Sequence, residues 1–170
     1  MGKLFGTDGI RGIINSGLDG HLAYRVGQAA AAVLTEATHH RPMFMIGKDT
    51  RASGDLLESA LAAGICSTGA DVVLTGVTAT PAVAWLTVRR NADAGVVISA
   101  SHNPAEYNGI KIFNGEGYKL SDELEDRIET LIASGEIPLV PADRIGRICA
   151  DKSAAAEYIG YLQKTAGISL

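Results

Sequence analysis

The run Ser99-Ala100-Ser101-His102-Asn103-Pro104 holds the residues best suited to chemistry in this sequence. It follows Gly95-Val96-Val97-Ile98, a short apolar run that predicts a buried strand. The loop would then lie at the carboxyl end of a strand, where open α/β sheets bind ligands. A serine hydroxyl in such a loop can act as a nucleophile. From these residues alone, an ordinary turn signalled by Asn103-Pro104 is an equally good interpretation.

Lys111 favours the functional interpretation of this loop. It lies within residues 110–113, which are predicted to form a strand that returns beside the loop. A lysine in that place can neutralise a phosphate dianion as a point charge. The alternative is a solvated lysine on an exposed strand, which is the usual position of a single lysine.

The N-terminal motif Phe5-Gly6-Thr7-Asp8-Gly9-Ile10-Arg11-Gly12 is the second candidate for a binding site. Its three evenly spaced glycines let the backbone turn sharply and approach a ligand closely. Arg11 offers a forked set of donors that suits phosphate. The spacing is neither the dinucleotide-binding fingerprint nor a P-loop. A flexible N-terminus is the alternative interpretation.

A third polar segment, Gly47-Lys48-Asp49-Thr50-Arg51-Ala52-Ser53, follows a predicted strand and precedes a predicted helix. It could bring Arg51 and a helix N-terminus close to an anion. We favour a structural role instead, in which Asp49 and Arg51 pair with each other and hold the loop.

These loops are predicted to be positioned by alternating strands and helices. Apolar periodicity predicts a helix over residues 19–38, and further helices begin near Ser53, Thr80-Pro81 and Ser121. Short apolar runs predict strands at residues 43–46, 72–74, 95–98 and 110–113, the last of them antiparallel. This alternation indicates an α/β fold, a three-layer αβα domain with a mixed, mostly parallel sheet.

Pro138 and Pro141 predict the edge of that domain. We therefore expect a domain over residues 1–145. Residues 146–170 are predicted to form a linker and a helix, over residues 153–164, that leads towards a second domain.

Composition excludes several other classes of protein. The 170 residues are 46% hydrophobic and 20% charged, which is typical of a soluble globular protein. A net charge of −4 argues against a nucleic-acid partner. We expect neither a signal peptide nor a membrane span. Cys66 and Cys149 lack metal or redox spacing, which favours a reducing compartment, the cytoplasm.

The serine loop, together with Asn108-Gly109-Ile110-Lys111, resembles the phosphoserine signature of the α-D-phosphohexomutase superfamily. The N-terminal motif resembles the phosphoglucosamine mutase branch of that superfamily in particular. The resemblance continues through residues 47–54, 80–84 and 117–122, so it covers nearly the whole chain.

This resemblance implies a role for each of six residues. Ser101 would carry the transferred phosphate and, through it, contribute one ligand to Mg²⁺. Lys111 and His102 would contact the phosphate and assist proton transfer, and Arg11 would be the active-site arginine. Thr7 and Asn103 would bind substrate or phosphate.

The implied reaction interconverts glucosamine 6-phosphate and glucosamine 1-phosphate through a bisphosphate intermediate. Enzymes of the superfamily have four domains, and this chain resembles the first. The superfamily's Asp-x-Asp-x-Asp metal loop does not occur in this sequence. We therefore expect the chain to need the remaining domains as partners as well as a hexose or hexosamine phosphate. Alone it should be inactive and could self-associate.

Three alternatives to this function can be compared. A phosphomannomutase or phosphoglucomutase domain would differ mainly in a sugar-binding loop outside this sequence. A serine hydrolase would require a Gly-x-Ser-x-Gly elbow, which the residues around Ser101 do not form. A non-catalytic folding or binding unit is the third alternative.

Overall fold

Seven β-strands and five α-helices alternate along residues 3–167, the part of the chain that the computed structural model describes. The strands are β1 (Phe5–Gly6), β2 (Gly9–Ile13), β3 (Met43–Lys48), β4 (Asp71–Val77), β5 (Ala94–Ile98), β6 (Tyr107–Asn114) and β7 (Ile148–Ala150). The helices are α1 (Gly20–Leu34), α2 (Gly54–Ser67), α3 (Thr80–Arg89), α4 (Asp122–Ser134) and α5 (Ala154–Ala166), and a short 3-10 helix spans Ala142–Arg144.

All strands join one sheet in the order β1-β2-β6-β5-β3-β4-β7. From β5 to β7 the neighbouring strands are parallel, whereas β1, β2 and β6 pair antiparallel with each other and with β5. The predicted α/β fold with a mixed sheet is therefore confirmed, and the parallel strands form its core. The sequence interpretation did not include β1, β2 or β7.

Side chains that alternate along the central strands build two cores, one on each face of the sheet. Phe44 and Ile46 of β3 pack with residues of α1, α2 and α4, whereas Met45 between them packs with residues of α3 on the other face. Successive residues of a strand point to opposite faces, so one strand can serve both cores. The result is the predicted three-layer arrangement.

Two glycines let helices α1 and α2 approach closely. A Cβ atom on Gly27 would lie 2.3 Å from the carbonyl oxygen of Leu61, and one on Gly64 would lie 2.1 Å from that of Tyr24. Both neighbours are backbone atoms, which cannot rotate away. Larger residues would therefore force the two helices apart.

The C-terminal segment packs against the sheet and against α3. β7 pairs with β4 in parallel, and α5 places Tyr161 in a stack with Trp85 of α3, with ring centroids 4.6 Å apart. Ile159 and Leu162 of α5 remain exposed. The division into residues 1–145 and 146–170 stays a prediction. Within residues 3–167, every helix is too short or too polar to span a bilayer.

Candidate active site

The serine loop lies where the direction of the chain connections changes. The connection from β3 to β4 runs through α2 on one face of the sheet, and that from β4 to β5 runs through α3 on the other face. β3 and β5 are neighbours, so their carboxyl ends flank a crevice of the kind in which open α/β sheets bind ligands. Asp49 follows β3 and Ser99 follows β5.

Ser101 is exposed in the turn that follows β5, as predicted. Its φ of 56° lies in the left-handed region, which non-glycine residues rarely adopt. Its backbone N–H donates a hydrogen bond to Ser99 Oγ at 3.0 Å, and Ser99 Oγ donates to Asp49 Oδ2 at 2.6 Å. A short chain of hydrogen bonds thus connects the end of β3 to the backbone of Ser101.

Arg51 holds the rest of this loop. All five N–H donors of its guanidinium are used: one pairs with Asp49 and four bind backbone carbonyls. These partners are Asp49 Oδ2 at 3.0 Å, Pro104 O at 2.6 Å, Tyr107 O at 3.1 Å, Ser101 O at 3.0 Å and Asn103 O at 2.7 Å. The expected Asp49–Arg51 pair is present, and it also clamps the serine loop onto β3.

We expect Arg51→Ala to lower the free energy of unfolding by about 3 kcal/mol, because four carbonyl oxygens lose their Arg51 donor and the Asp49 carboxylate loses its cationic partner, keeping only the neutral donors of Ser99 and the backbone. Urea denaturation of the chain measures this loss. Arg41→Ala is the matched control: Arg41 also binds a carboxylate (Asp71) and a carbonyl (Ile145), but its side chain is 46% exposed against 13% for Arg51. The free energy of unfolding of Arg41→Ala should fall by less than about 1 kcal/mol. Equal losses in the two variants would show that the clamp contributes no more than a surface ion pair.

The start of β6 is fixed against this loop by three residues, Asn108, Ser53 and Gly109. Asn108 is buried and donates through Nδ2 to Ser53 Oγ at 2.9 Å. Helix α2 begins next to Ser53, as predicted, but the Ser53 side chain makes no capping hydrogen bond and binds Asn108 instead. A Cβ atom on Gly109 would lie 2.7 Å from Ser99 O, so only glycine lets β6 pass this close to the serine loop.

Lys111 and Arg11 meet on either side of Asp8. Lys111 lies opposite Val97 in the antiparallel pairing of β6 with β5, so the strand does return beside the loop as predicted. Lys111 Nζ donates to Asp8 Oδ1 at 3.0 Å, and Arg11 donates to Asp8 Oδ2 at 3.4 Å. The hydrogen bond from Lys111, then the charges of Lys111 and Arg11, hold the pKa of Asp8 below its ordinary value.

A polar cavity of about 240 Å³ brings these groups together. Its lining includes three of the six residues singled out from the sequence, Ser101, Lys111 and Arg11. The other lining residues are Asp8, Thr80, Val97 and Ser99. Thr80 is the first residue of α3, so the N-terminus of that helix, which favours anions, reaches the same space.

The other three predicted residues border this cavity less directly. His102 Nδ1 lies 3.4 Å from Ser101 Oγ, and Asn103 Oδ1 accepts from Arg11 at 3.5 Å, both long contacts. Thr7 is exposed and lines a neighbouring depression of about 310 Å³, which shares only Asp8 and Arg11 with the serine cavity.

Asp8, Ser99 and Thr80 line the site but are not among the six residues predicted from the sequence. Asp8 could have been recognised from the sequence. An acid three residues before a candidate phosphate-binding arginine must either pair with that arginine or repel the phosphate. Ser99 and Thr80 each follow a strand of the parallel core, at the edge where ligands bind. Only the strand order shows that β4 and β5 lie on either side of β3, so that the ends of both strands reach the same cavity.

Comparisons with known proteins identify the family and the fold of this chain. The family model described as "Phosphoglucomutase/phosphomannomutase, alpha/beta/alpha domain I" matches residues 2–137. The sequence is 57% identical over 168 residues to a phosphoglucosamine mutase from Clostridium botulinum (strain Loch Maree / Type A3). It is 54% identical over 167 residues to a phosphoglucosamine mutase from Acetivibrio thermocellus. Each alignment covers 97% of this chain and 37% of the relative, so the chain spans little more than a third of these curated relatives.

The fold is similar to that of a solved structure. A phosphoglucomutase/phosphomannomutase family protein from Burkholderia thailandensis superposes with a TM-score of 0.81 at 25% sequence identity, over 97% of this chain and 35% of that one. The resemblance to phosphohexomutases inferred from the motifs is thereby confirmed. This chain, with residues 2–137 matched by the family model, belongs to the phosphoglucomutase/phosphomannomutase family as its α/β/α domain I.

Proposed function

We propose that this chain is the catalytic-serine domain of a phosphoglucosamine mutase, in which Ser101 carries the phosphate that is exchanged with the sugar. The observation that carries the proposal is the shared cavity, in which the exposed Ser101 lies with the cations Lys111 and Arg11. Phosphoryl transfer depends chiefly on positioning and on stabilising negative charge, and this cavity offers both. The similarity to phosphoglucosamine mutases favours a glucosamine phosphate over the mannose or glucose phosphates of the alternative enzymes.

In the proposed transfer, the bond between phosphorus and Ser101 Oγ breaks while phosphorus bonds to a hydroxyl oxygen of the sugar. The hydroxyl proton must pass to a base, and Ser101 Oγ must regain a proton or receive the second phosphate. His102 is one candidate for this proton transfer, since its Nδ1 lies 3.4 Å from Ser101 Oγ, and Lys111 is the other. Lys111 also neutralises charge on the transferred group.

Arg11 supports the binding of an oxyanion in this cavity. Its two Nη groups make only long contacts, to Asn103 Oδ1 at 3.5 Å and to Asp8 Oδ2 at 3.4 Å, so they can turn to an oxygen of a phosphate group. Thr7 lines the neighbouring depression together with Arg11.

The residues that the structure describes do not form a Mg²⁺ site by themselves. Residues 3–167 contain no group of three or more His, Cys, Asp or Glu side chains that could hold a metal ion. The carboxylates of the site, Asp8 and Asp49, are already bound by Lys111 and Arg51. In the proposal this chain supplies only the phosphate oxygen on Ser101, and the remaining Mg²⁺ ligands come from another domain.

The proposed enzyme is cytoplasmic and has four domains, of which this chain is the first. The other domains would supply the metal ligands, the contacts to the sugar hydroxyls and the site for the phosphate that does not react. The chain alone is then inactive, because a substrate that is not held in line with Ser101 loses effective molarity. Exposed apolar residues of α5, such as Ile159 and Leu162, would lie towards these partners and favour self-association without them.

Phosphopeptide mass spectrometry on the active four-domain enzyme tests the proposal, alongside a coupled mutase assay with glucosamine, glucose and mannose phosphates. We expect phosphate on Ser101 and the fastest turnover with glucosamine phosphate. The 170-residue chain alone should show no turnover with Mg²⁺ and a hexose bisphosphate. A phosphate that maps to another residue would contradict the role of Ser101. Faster turnover of mannose or glucose phosphate would favour the alternative enzymes, and turnover by the chain alone would contradict the need for other domains.

A further inference from the structure

We propose that Asp8 is a built-in competitor of the phosphate group: its carboxylate holds Lys111 and Arg11 and releases them when a phosphate binds. The inference rests on the proposed function for the identity of the anion. It assigns to Asp8 a role that sequence motifs and family membership do not supply, namely to limit how tightly this cavity holds phosphate.

The backbone places Asp8 beside the two cations. Thr7 and Asp8 form the two-residue turn between β1 and β2, because Gly6 pairs with Gly9. A Cβ atom on Gly9, whose φ is 86°, would lie 2.4 Å from Ile110 O. Only glycine therefore allows this hairpin to lie so close to β6, and this contact brings the Asp8 carboxylate to Lys111.

The ion pairs of Asp8 with Lys111 and Arg11 can open so that another anion binds these cations. The side chains of Asp8, Arg11 and Lys111 are 52%, 28% and 28% exposed, so water can solvate them when the pairs open. A second lysine near the site behaves differently. Lys48 pairs with Asp55 and with Glu58, and the side chains of Lys48 and Glu58 are only 14% and 10% exposed. Opening the Lys48–Glu58 pair would therefore leave the buried Glu58 charge uncompensated.

Because both are negatively charged, Asp8 and a phosphate cannot bind Lys111 and Arg11 at the same time. Asp8 lines the same cavity as Ser101, Lys111 and Arg11, so an anion that reaches both cations also meets the carboxylate. The hydrogen bond and charge of Lys111 lower the pKa of Asp8, so the carboxylate is ionised at neutral pH and repels phosphate. The low pKa also means that the pairing stabilises the fold above pH 3.8, and this contribution is lost as the pH falls through the lowered pKa.

This competition has a consequence for turnover. In the proposed reaction the phosphate leaves this cavity after it has passed from Ser101 to the sugar, when the bisphosphate turns over. A carboxylate that takes back Lys111 and Arg11 at that point lowers the cost of moving the phosphate away, and it keeps both cations in place for the second transfer.

Binding of inorganic phosphate to the 170-residue chain, followed by NMR chemical shifts at constant pH, tests the inference. We expect Asp8→Asn to lower the Kd for phosphate about tenfold, the size of effect produced by removing one like charge near a protein surface. The shifts should centre on Lys111, Arg11 and Ser101. Asp126→Asn is the matched control, because Asp126 pairs with Lys3 on the surface outside the serine cavity, and its Kd should equal that of the unsubstituted chain.

The phosphate titrations of the unsubstituted chain and of Asp8→Asn decide whether Asp8 competes with phosphate. If phosphate binds the unsubstituted chain at these residues and Asp8→Asn leaves the Kd unchanged or raises it, Asp8 is not a competitor, while the proposed function stands. If phosphate binds neither chain at these residues, Lys111 and Arg11 do not form an anion site in this chain and the inference fails, whereas the proposed function is decided separately by the phosphopeptide experiment. Asp8→Ser serves as a second variant and should tighten binding in the same way. In the four-domain enzyme, Asp8→Asn should lower KM and kcat together, because the bisphosphate is held longer in this cavity before it turns over.

Discussion

Replacing Ser101 with alanine in the proposed four-domain enzyme is expected to reduce mutase turnover at least about 1,000-fold, because the residue that carries the phosphate is then missing. The positions of the cations should change little, since Arg51 binds the backbone carbonyl of Ser101 and not its hydroxyl. A coupled assay measures turnover, and mass spectrometry should find no phosphate on the serine-loop peptide.

Ser134→Ala is the control for this substitution. Ser134 is an exposed serine at the end of α4 whose hydroxyl binds only local backbone, so turnover should stay at the level of the unsubstituted enzyme. If Ser101→Ala keeps more than a small fraction of the activity, the phosphate must travel through another residue. The cavity would then bind phosphate without taking part in its covalent transfer.

Replacing Lys111 with alanine should lower turnover about 100- to 1,000-fold, the usual effect of removing one group that stabilises charge in the transition state. Arg11→Ala is expected to have an effect of similar size. The loss should appear chiefly in kcat, because charge on the transferred group is greatest in the transition state. Steady-state kinetics with glucosamine 6-phosphate measure it.

Lys119→Ala is the control for Lys111→Ala. It also removes a partly exposed lysine that is paired with an acid. Lys119 Nζ lies 3.1 Å from Glu125, and its side chain is 39% exposed, but it does not line the serine cavity. Its turnover should remain normal. Urea denaturation of the Lys111→Ala chain separates a catalytic effect from unfolding, since Lys111 pairs only at a partly exposed site. A properly folded Lys111→Ala enzyme with near-normal kcat would remove Lys111 from the mechanism.

The position of the serine loop and its return strand could be predicted from the sequence because both depend on local signals. A buried strand needs only a short apolar run, and the polar residues after it must lie at its end. For this reason β5, the exposed turn at Ser101 and the antiparallel β6 with Lys111 agree with expectation. The three-layer fold follows in the same way from the alternation of strand and helix patterns.

The short strands β1, β2 and β7 carry no such signal. β1 has two residues and β7 has three, and β2 is interrupted by glycine, so each forms mainly because a neighbouring strand offers hydrogen bonds. From the sequence, the glycines of the N-terminal motif were predicted to let the backbone approach a ligand. In the structure Gly9 serves close packing on β6, and the ligand-facing group that results is Asp8.

The contacts that organise the site join residues far apart in the chain, and no local pattern specifies them. Arg51 binds carbonyls 50 to 56 residues away, and Lys111 meets Asp8 across 103 residues. Residue types and spacing were enough to identify a serine, a lysine and an arginine with the chemistry of phosphate. Which acid pairs with them, and which arginine holds the loop, depended on the strand order β2-β6-β5-β3, because only that order makes these distant residues neighbours.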